Sequence, residues 1–257
     1  MQISLITATL NSIQHLPPVI ESIRQQTYTN IEYIVIDGGS TDGTVEYLKQ
    51  SNQVSQLISE PDKGIYDAIN KGIQLATGDI IGFLHSADLL ASSQTLENIV
   101  RAFTSPYGRL KDSTPDVVYG DLVFVDQQDT NKVTRYWKSR IFKPSLLNRG
   151  WMPAHPTVFM RREVYAKHGF YNNDLRCASD YDYMLRVFRD QSLTFCYLPE
   201  VMTKMRRGGV STGGLKNLIN KKKEDYWVLK NNKMPFPMWI LLAKNVSKIP
   251  QLFFRKR

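Results

Sequence analysis

A chain of 257 residues with 42% hydrophobic and 11% aromatic content can bury a full core and is neither disordered nor fibrous in composition. Its net charge of +9 sits wholly at one end: residues 1–215 carry 22 basic and 22 acidic residues, whereas residues 216–257 carry 11 basic residues against Glu224 and Asp225 alone. Cys177 and Cys196 lack metal or redox spacing, MQISLITATL lacks the features of a signal peptide, and no apolar run approaches the ~20 residues that cross a bilayer, so the expectation is a cytoplasmic protein with reduced thiols.

Ile3–Thr7 reads as a strand and Leu16–Gln26 as a helix, with prolines at its opening where no N–H is needed. Tyr33–Asp37 is a second strand, Thr44–Gln50 a helix and Val54–Ser59 a third strand. Tyr66–Ala76 has apolar residues at helical spacing and Gly78 ends it; Ile80–Leu84 has the length of a buried strand. This alternation predicts an α/β fold with a Rossmann-type, mostly parallel central sheet flanked by helices. Beyond about residue 104 the pattern loosens. Val117–Val125, Lys132–Trp137, Thr157–Met160, Leu193–Leu198 and Val201–Met205 read as strands, Arg162–His168 and Asp180–Arg189 as helices, and Arg206–Gly214 as a loop.

The stretch IEYIVIDGGSTDGT, residues 31–44, carries the most chemistry. An aspartate ends an apolar strand, where ligands bind in open α/β sheets, and glycines let a ligand approach the backbone. Asp37 is therefore a candidate for gripping the donors of a base or ribose. From these residues alone, an ordinary turn capped by Ser40 or Asp42 is an equal reading.

Three further segments break the tie: TATLNS at 7–12, SEPDKGIYDAINKGIQLATGDIIGFLHSAD at 59–88 and CASDYDYMLRVF at 177–188. With VIDGGSTDGT at 35–44, their order and spacing resemble the family 2 glycosyltransferases of GT-A fold, in particular bacterial members that build capsular, exopolysaccharide or lipopolysaccharide units. The resemblance covers roughly residues 1–205. It implies a catalytic domain over 1–214, with a nucleotide-binding part to about 104 and an acceptor-side part beyond, followed by a basic helical tail over 215–257. The implied reaction is inverting transfer from a nucleotide sugar, with UDP the default, assisted by Mn2+ or Mg2+.

The resemblance also assigns residues. Asp37 matches the aspartate that contacts the nucleotide base, and Gly38 stands where many relatives carry a second aspartate. Thr7, Ala8 and Thr9 resemble the first nucleotide-contacting turn; Asp67 and Lys71 lie near the nucleotide and at the spacing of an i,i+4 ion pair. In His85-Ser86-Ala87-Asp88 two expected carboxylate positions are lost, leaving Asp88 as a metal ligand, with His85 as a nitrogen ligand or a packing residue. Asp180 matches the catalytic base, and burial is expected to raise its pKa toward working pH. Asp182 is the structural carboxylate. His155 is expected near the acceptor or diphosphate, Trp151 as a face for a sugar ring, and Arg206 and Arg207 on a loop that closes on the diphosphate.

The tail divides into a basic helix, Leu215–Lys230 with KKK at 221–223, and MWILLAKNVSKIPQLFFRKR, which interleaves Trp239, Leu242, Leu252, Phe253 and Phe254 with lysine and arginine. Such composition suits a helix in the bilayer interface or one packed on the catalytic domain. The resemblance adds an undecaprenyl-diphosphate-linked sugar as acceptor, so the expected place is the inner face of the cell membrane, bound through an anionic surface. A nucleic-acid partner is not expected, since no base-reading module accompanies the charge. A sugar nucleotidyltransferase would need an N-terminal Gly-rich loop with basic residues, and GGSTDG is not the dinucleotide fingerprint. The competing reading is a non-catalytic, membrane-surface nucleotide-sugar binder with a decayed metal site.

Overall fold

A computed structural model describes residues 1–104, 114–206 and 214–247. The first half runs β1 (Ile3–Thr9), α1 (Leu16–Arg24), β2 (Ile31–Asp37), α2 (Thr44–Lys49), β3 (Gln56–Ser59), α3 (Ile65–Leu75), β4 (Ile80–Phe83), β5 (Asp88–Leu90) and α4 (Thr95–Thr104). The second runs β6 (Val117–Val125), β7 (Val133–Trp137), β8 (Val158–Arg161), α5 (Arg162–His168), α6 (Ser179–Phe188), β9 (Phe195–Arg206), α7 (Gly214–Asn231) and α8 (Pro237–Val246). All nine strands join one sheet, ordered β3-β2-β1-β4-β8-β6-β9-β5, with β7 beside β6.

The β3-β2-β1-β4 part is parallel. Strands β1, β2 and β4 are almost wholly buried because both faces are covered. Ile3, Leu5, Tyr33 and Val35 pack under α1 through Leu16, Val19 and Ile23. Ile6, Ile34 and Ile36 point the other way and meet Ala68, Ile69 and Ile73 of α3. Gly72 lets α3 rest directly on β1: a Cβ there would lie 2.4 Å from Ile6 Cγ2. Beyond β4 the sheet is mixed, with β8 antiparallel to β4 and β6, and β6 parallel to β9.

Three features depart from the sequence reading. The two strands expected over 193–205 are one strand, β9, which passes through Pro199 and Glu200 while its register with β6 shifts around Asp121. Arg206, expected in a loop, is the last residue of that strand. Arg207 lies outside the described residues. The short β5, antiparallel to β9, has too few residues to show a periodicity, and neither it nor α4 was expected.

The tail helices pack into the same body as the sheet and α6. Val228, Leu229, Met234 and Ile240 are buried in the same core as the α6 residues Tyr183, Leu185 and Phe188. At roughly 2 kcal/mol for each fully buried large apolar side chain, this docking is a substantial share of a domain's net stability. The opposite faces remain open: Phe236 is 80% and Trp239 62% exposed, and Trp227, Met238, Leu242 and Val246 are exposed beside them. Among the described residues no helix is long and apolar enough to cross a membrane.

Candidate active site

β1 and β2 end side by side, with Thr9 opposite Asp37. The backbone N–H of Gly38 donates to the Thr9 carbonyl at 2.9 Å, which carries the strand pairing into the turn. Asp37 is wholly buried. Its Oδ2 accepts from Gly39 N–H at 3.0 Å, Ser40 N–H at 2.9 Å and the Ser59 hydroxyl at 2.8 Å, and its Oδ1 from the Ser40 hydroxyl. Both oxygens of the carboxylate thus hold the turn. Its neighbour Thr9 has a buried Oγ1 without a partner. Thr7 faces the core instead: its hydroxyl donates to the Leu84 carbonyl and accepts from Tyr33 at 3.0 Å.

Leaving β4, the chain turns over His85–Asp88, closed by Asp88 N–H donating to the His85 carbonyl at 2.9 Å. Asp88 enters β5 buried, opposite Met205. Burial pushes its carboxyl up to about 8, with the Arg206 guanidinium pulling the other way. Arg206 is anchored by donating to the Ala87 carbonyl at 3.0 Å. Asp88 Oδ2 is buried without a partner, so it fits one cation ligand. No group of three His, Cys, Asp or Glu side chains converges into a metal cage among the described residues. A cation here would depend on Asp88 plus oxygens from substrate and water, a shell that Mg2+ commonly accepts.

His85 turns to the other side of this corner. Its ring lies 6.0 Å from that of His155, which stacks on Phe83 at 5.2 Å. His155 Nε2 and the Tyr171 hydroxyl share a hydrogen bond of 2.7 Å. Burial, then the charge of His155, holds the His85 pKa down to about 4; burial also lowers that of His155, against the pull of Asp180.

Asp180 stands in the first turn of α6, where the helix dipole favours a negative charge. Tyr66 of α3 reaches its Oδ1 at 3.4 Å, and the Tyr181 N–H donates to the same oxygen at 2.8 Å. Burial pushes the carboxyl up, but His155, Lys221 and Lys244, together with the Tyr181 N–H, outweigh it and hold the group below the usual carboxylate range. The expected upward shift is thus reversed. The largest pull is that of His155, followed by the tail, whose cations the sequence reading assigned to a membrane. Lys221 donates to the Cys177 carbonyl at 3.0 Å, and Glu224 accepts from Cys177 N–H at 2.7 Å and Arg176 N–H at 3.2 Å. α7 therefore grips the segment that leads into α6. Lys244 of α8 is paired with Asp225 at 3.0 Å and sits 3.4 Å from the centre of the Tyr181 ring.

The remaining candidates separate. Trp151 is buried against Tyr119 and Phe142, so its ring packs the core and offers no open face to a sugar. Asp67 and Lys71 form the expected ion pair at 3.4 Å, and Lys71 also pairs with Glu60 at 2.6 Å. They line an open cleft of about 570 Å³ with Asn70, Tyr171 and Asn173, and none of Asp37, Asp88 or Asp180 borders it. Asp182 is structural as expected, accepting from Arg186 at 3.1 Å and Asn232 at 2.8 Å.

This curled α/β sheet, with a nucleotide-type turn at one strand edge and a carboxylate on a facing helix, is that of a GT-A glycosyltransferase. The chain belongs to glycosyltransferase family 2: residues 4–169 match Glycosyl transferase family 2. A PGL/p-HBAD biosynthesis glycosyltransferase of Mycobacterium tuberculosis strain H37Rv is 32% identical over 250 residues, covering 96% of this chain and 91% of that one. S. aureus TarS 1–349 in complex with UDP-GlcNAc superposes with a TM-score of 0.68 at 14% identity, covering 97% of this chain and 73% of that one. The chain spans 43% of a longer TarS chain. A mannosyltransferase from Pyrobaculum calidifontis with GDP-Man and Mn2+ superposes with a TM-score of 0.64 at 18% identity, covering 97% and 70%.

Proposed function

We propose that this glycosyltransferase moves a hexosyl or N-acetylhexosaminyl group from a nucleotide sugar, with UDP the default, to a hydroxyl of a lipid-linked saccharide, with inversion at the anomeric carbon, in bacterial surface-polysaccharide synthesis. The carrying observation is the Asp180 carboxylate in the first turn of α6, within reach of the Tyr66 hydroxyl and held below the usual carboxylate range by His155 and the tail lysines. The carboxylate is the group to accept the acceptor hydroxyl's proton, its lowered pKa trading basicity for an ionised resting state, and general-base help is worth about 10²–10⁴-fold. Arg206 offers a guanidinium to the diphosphate. Asp88 is the residue that would hold Mn2+ or Mg2+, which neutralises charge on the leaving diphosphate when bound. The open apolar face of α7 and α8, with the exposed Lys222 and Lys223, supports seating on an anionic bilayer, where lipid-linked acceptors lie. Localisation at the inner face of the membrane follows from that seating.

The test is nucleoside diphosphate release from UDP-, GDP- and dTDP-sugars, with and without Mn2+ or Mg2+, with co-sedimentation on anionic vesicles as a second arm. Metal-dependent release of one nucleotide, lost in Asp88→Ala, is expected. The lone carboxylate at Asp88 favours one other reading, a binder with a decayed metal site. Nucleotide binding indifferent to metal and to Asp88→Ala, with no transfer to lipid-linked acceptors, would establish that reading. Failure to sediment with vesicles would remove the membrane assignment alone.

A further inference from the structure

A second cleft, of about 310 Å³, opens between α7 and the segment that leads into α6, lined by Arg176, Cys177, Asn220, Lys223 and Glu224. Glu224 spends one oxygen on the Arg176 N–H at 3.2 Å and the other on the Cys177 N–H at 2.7 Å. It thereby fixes the main chain of Arg176 against α7. Arg176 and Lys223 are exposed, and neither side chain has an ion-pair partner among the described residues. Lys221 adds a third positive charge at the Cys177 carbonyl. Around these cations α7 is apolar. Ile219, Lys223 and Trp227 follow one another at i,i+4 and Tyr226 stands three residues after Lys223, so the four share a face of the helix. Ile219 is 47% and Trp227 45% exposed, and Tyr226 is exposed with them. Cations flanked by open apolar side chains match an amphiphile with an anionic head, and Arg and Lys suit phosphate oxygens. The cleft is also close to the chemistry: Asp180 follows Cys177 by three residues, at most ~11 Å of chain.

We infer that this cleft binds the diphosphate that joins the acceptor saccharide to its lipid, with Arg176 and Lys223 on the phosphate oxygens and the start of the lipid chain along Ile219, Tyr226 and Trp227. Two cations on separate elements give each phosphoryl group a partner. The saccharide then extends from the cleft toward Asp180. The site is distinct from that of the donor's diphosphate at Arg206. It rests on the transferase reading above and gives the acceptor a class, a lipid diphosphate rather than a neutral glycolipid.

The measurement is calorimetric titration of the full chain, with UDP and Mg2+ saturating so that the donor site is filled. The probes are geranyl diphosphate, inorganic pyrophosphate, geraniol and dihexanoyl phosphatidylglycerol below its micelle concentration. Wild type should bind geranyl diphosphate about tenfold or more tightly than each of the others, since it alone carries both the paired phosphates and the chain. Arg176→Gln/Lys223→Gln should weaken geranyl diphosphate by about tenfold or more. Lys49→Gln/Lys138→Gln, which removes the same charge from two exposed positions elsewhere, should weaken it by less than about twofold in physiological salt. Equal losses in the two double variants would reduce the effect to net charge and overturn the site. Wild type that holds geraniol or dihexanoyl phosphatidylglycerol as tightly as geranyl diphosphate overturns it too, the second by making the cleft a phospholipid headgroup site. A protein that binds UDP but no geranyl diphosphate overturns this site and leaves the transferase reading standing. One that binds none of UDP, GDP and dTDP overturns the transferase reading and this site with it.

Discussion

Asp37 ends a strand and Asp180 opens a helix, and their surroundings are built from different parts of the chain. Asp37 is served by Gly39 and Ser40, two and three residues on, and by Ser59 on the neighbouring strand. Asp180 is served by Tyr66 of α3, by His155, and by Lys221 and Lys244 of the tail helices. The first site is a local turn that organises backbone. The second is a long-range assembly that sets a charge. An aspartate at a strand end is therefore no sign of chemistry until its oxygens are accounted for.

The largest effect should come from Asp180. Replacing it with Asn removes the proton acceptor while keeping the shape, and kcat is expected to fall by about 10²–10⁴-fold. Nucleotide affinity should stay within about twofold, measured by calorimetry beside single-turnover rates. A variant with near-normal kcat would place the base elsewhere and erase the contrast with Asp37.

Asp37→Ala should act on the other side of the comparison. It takes the acceptor from the Gly39 and Ser40 N–H groups and the Ser59 hydroxyl at a part-buried turn, with a loss of about 2 kcal/mol in urea unfolding. The residual folded protein should turn over at nearly the normal rate when nucleotide is saturating. Unchanged stability with abolished nucleotide binding would instead mean that Asp37 touches the ligand.

The same division decides what could be read in advance. β1 to β4 were legible because each is a short apolar run punctuated by turn chemistry, and helical spacing marked α1 and α3. The positions of Asp88 and Asp180 were legible through resemblance, since motif order survives the substitutions at His85 and Ala87. The protonation behaviour of Asp180 was not, because it depends on cations 41 and 64 residues further on, whose direction no local pattern encodes. A basic run looks the same whether it faces solvent, lipid or an active site. Lys221 belongs to KKK and Lys244 to an apolar helix, and only packing of Val228, Leu229 and Ile240 turns them inward. Trp151 fails for the same reason: a tryptophan's face is free or covered according to what folds over it, here Tyr119 and Phe142.

The smallest predicted effect is the most discriminating about the tail. Asp180's lowered pKa means its charge contributes stability above the usual carboxylate pKa, and that contribution disappears as pH falls through the lower folded value. Lys221→Met removes one of the cations responsible, so the folded pKa rises and the acid limb of kcat/KM moves to higher pH. Near neutrality Asp180 remains ionised and the rate should barely change, while at the acid end it should fall by about two- to fivefold, a size fitting for one partly screened charge. Lys221→Arg keeps the cation and should restore the wild-type profile. A merely structural role for Lys221, through the Cys177 carbonyl, would lower the rate equally at every pH. The shape of the profile thus separates a tail that only props α6 from one that tunes the carboxylate at its head.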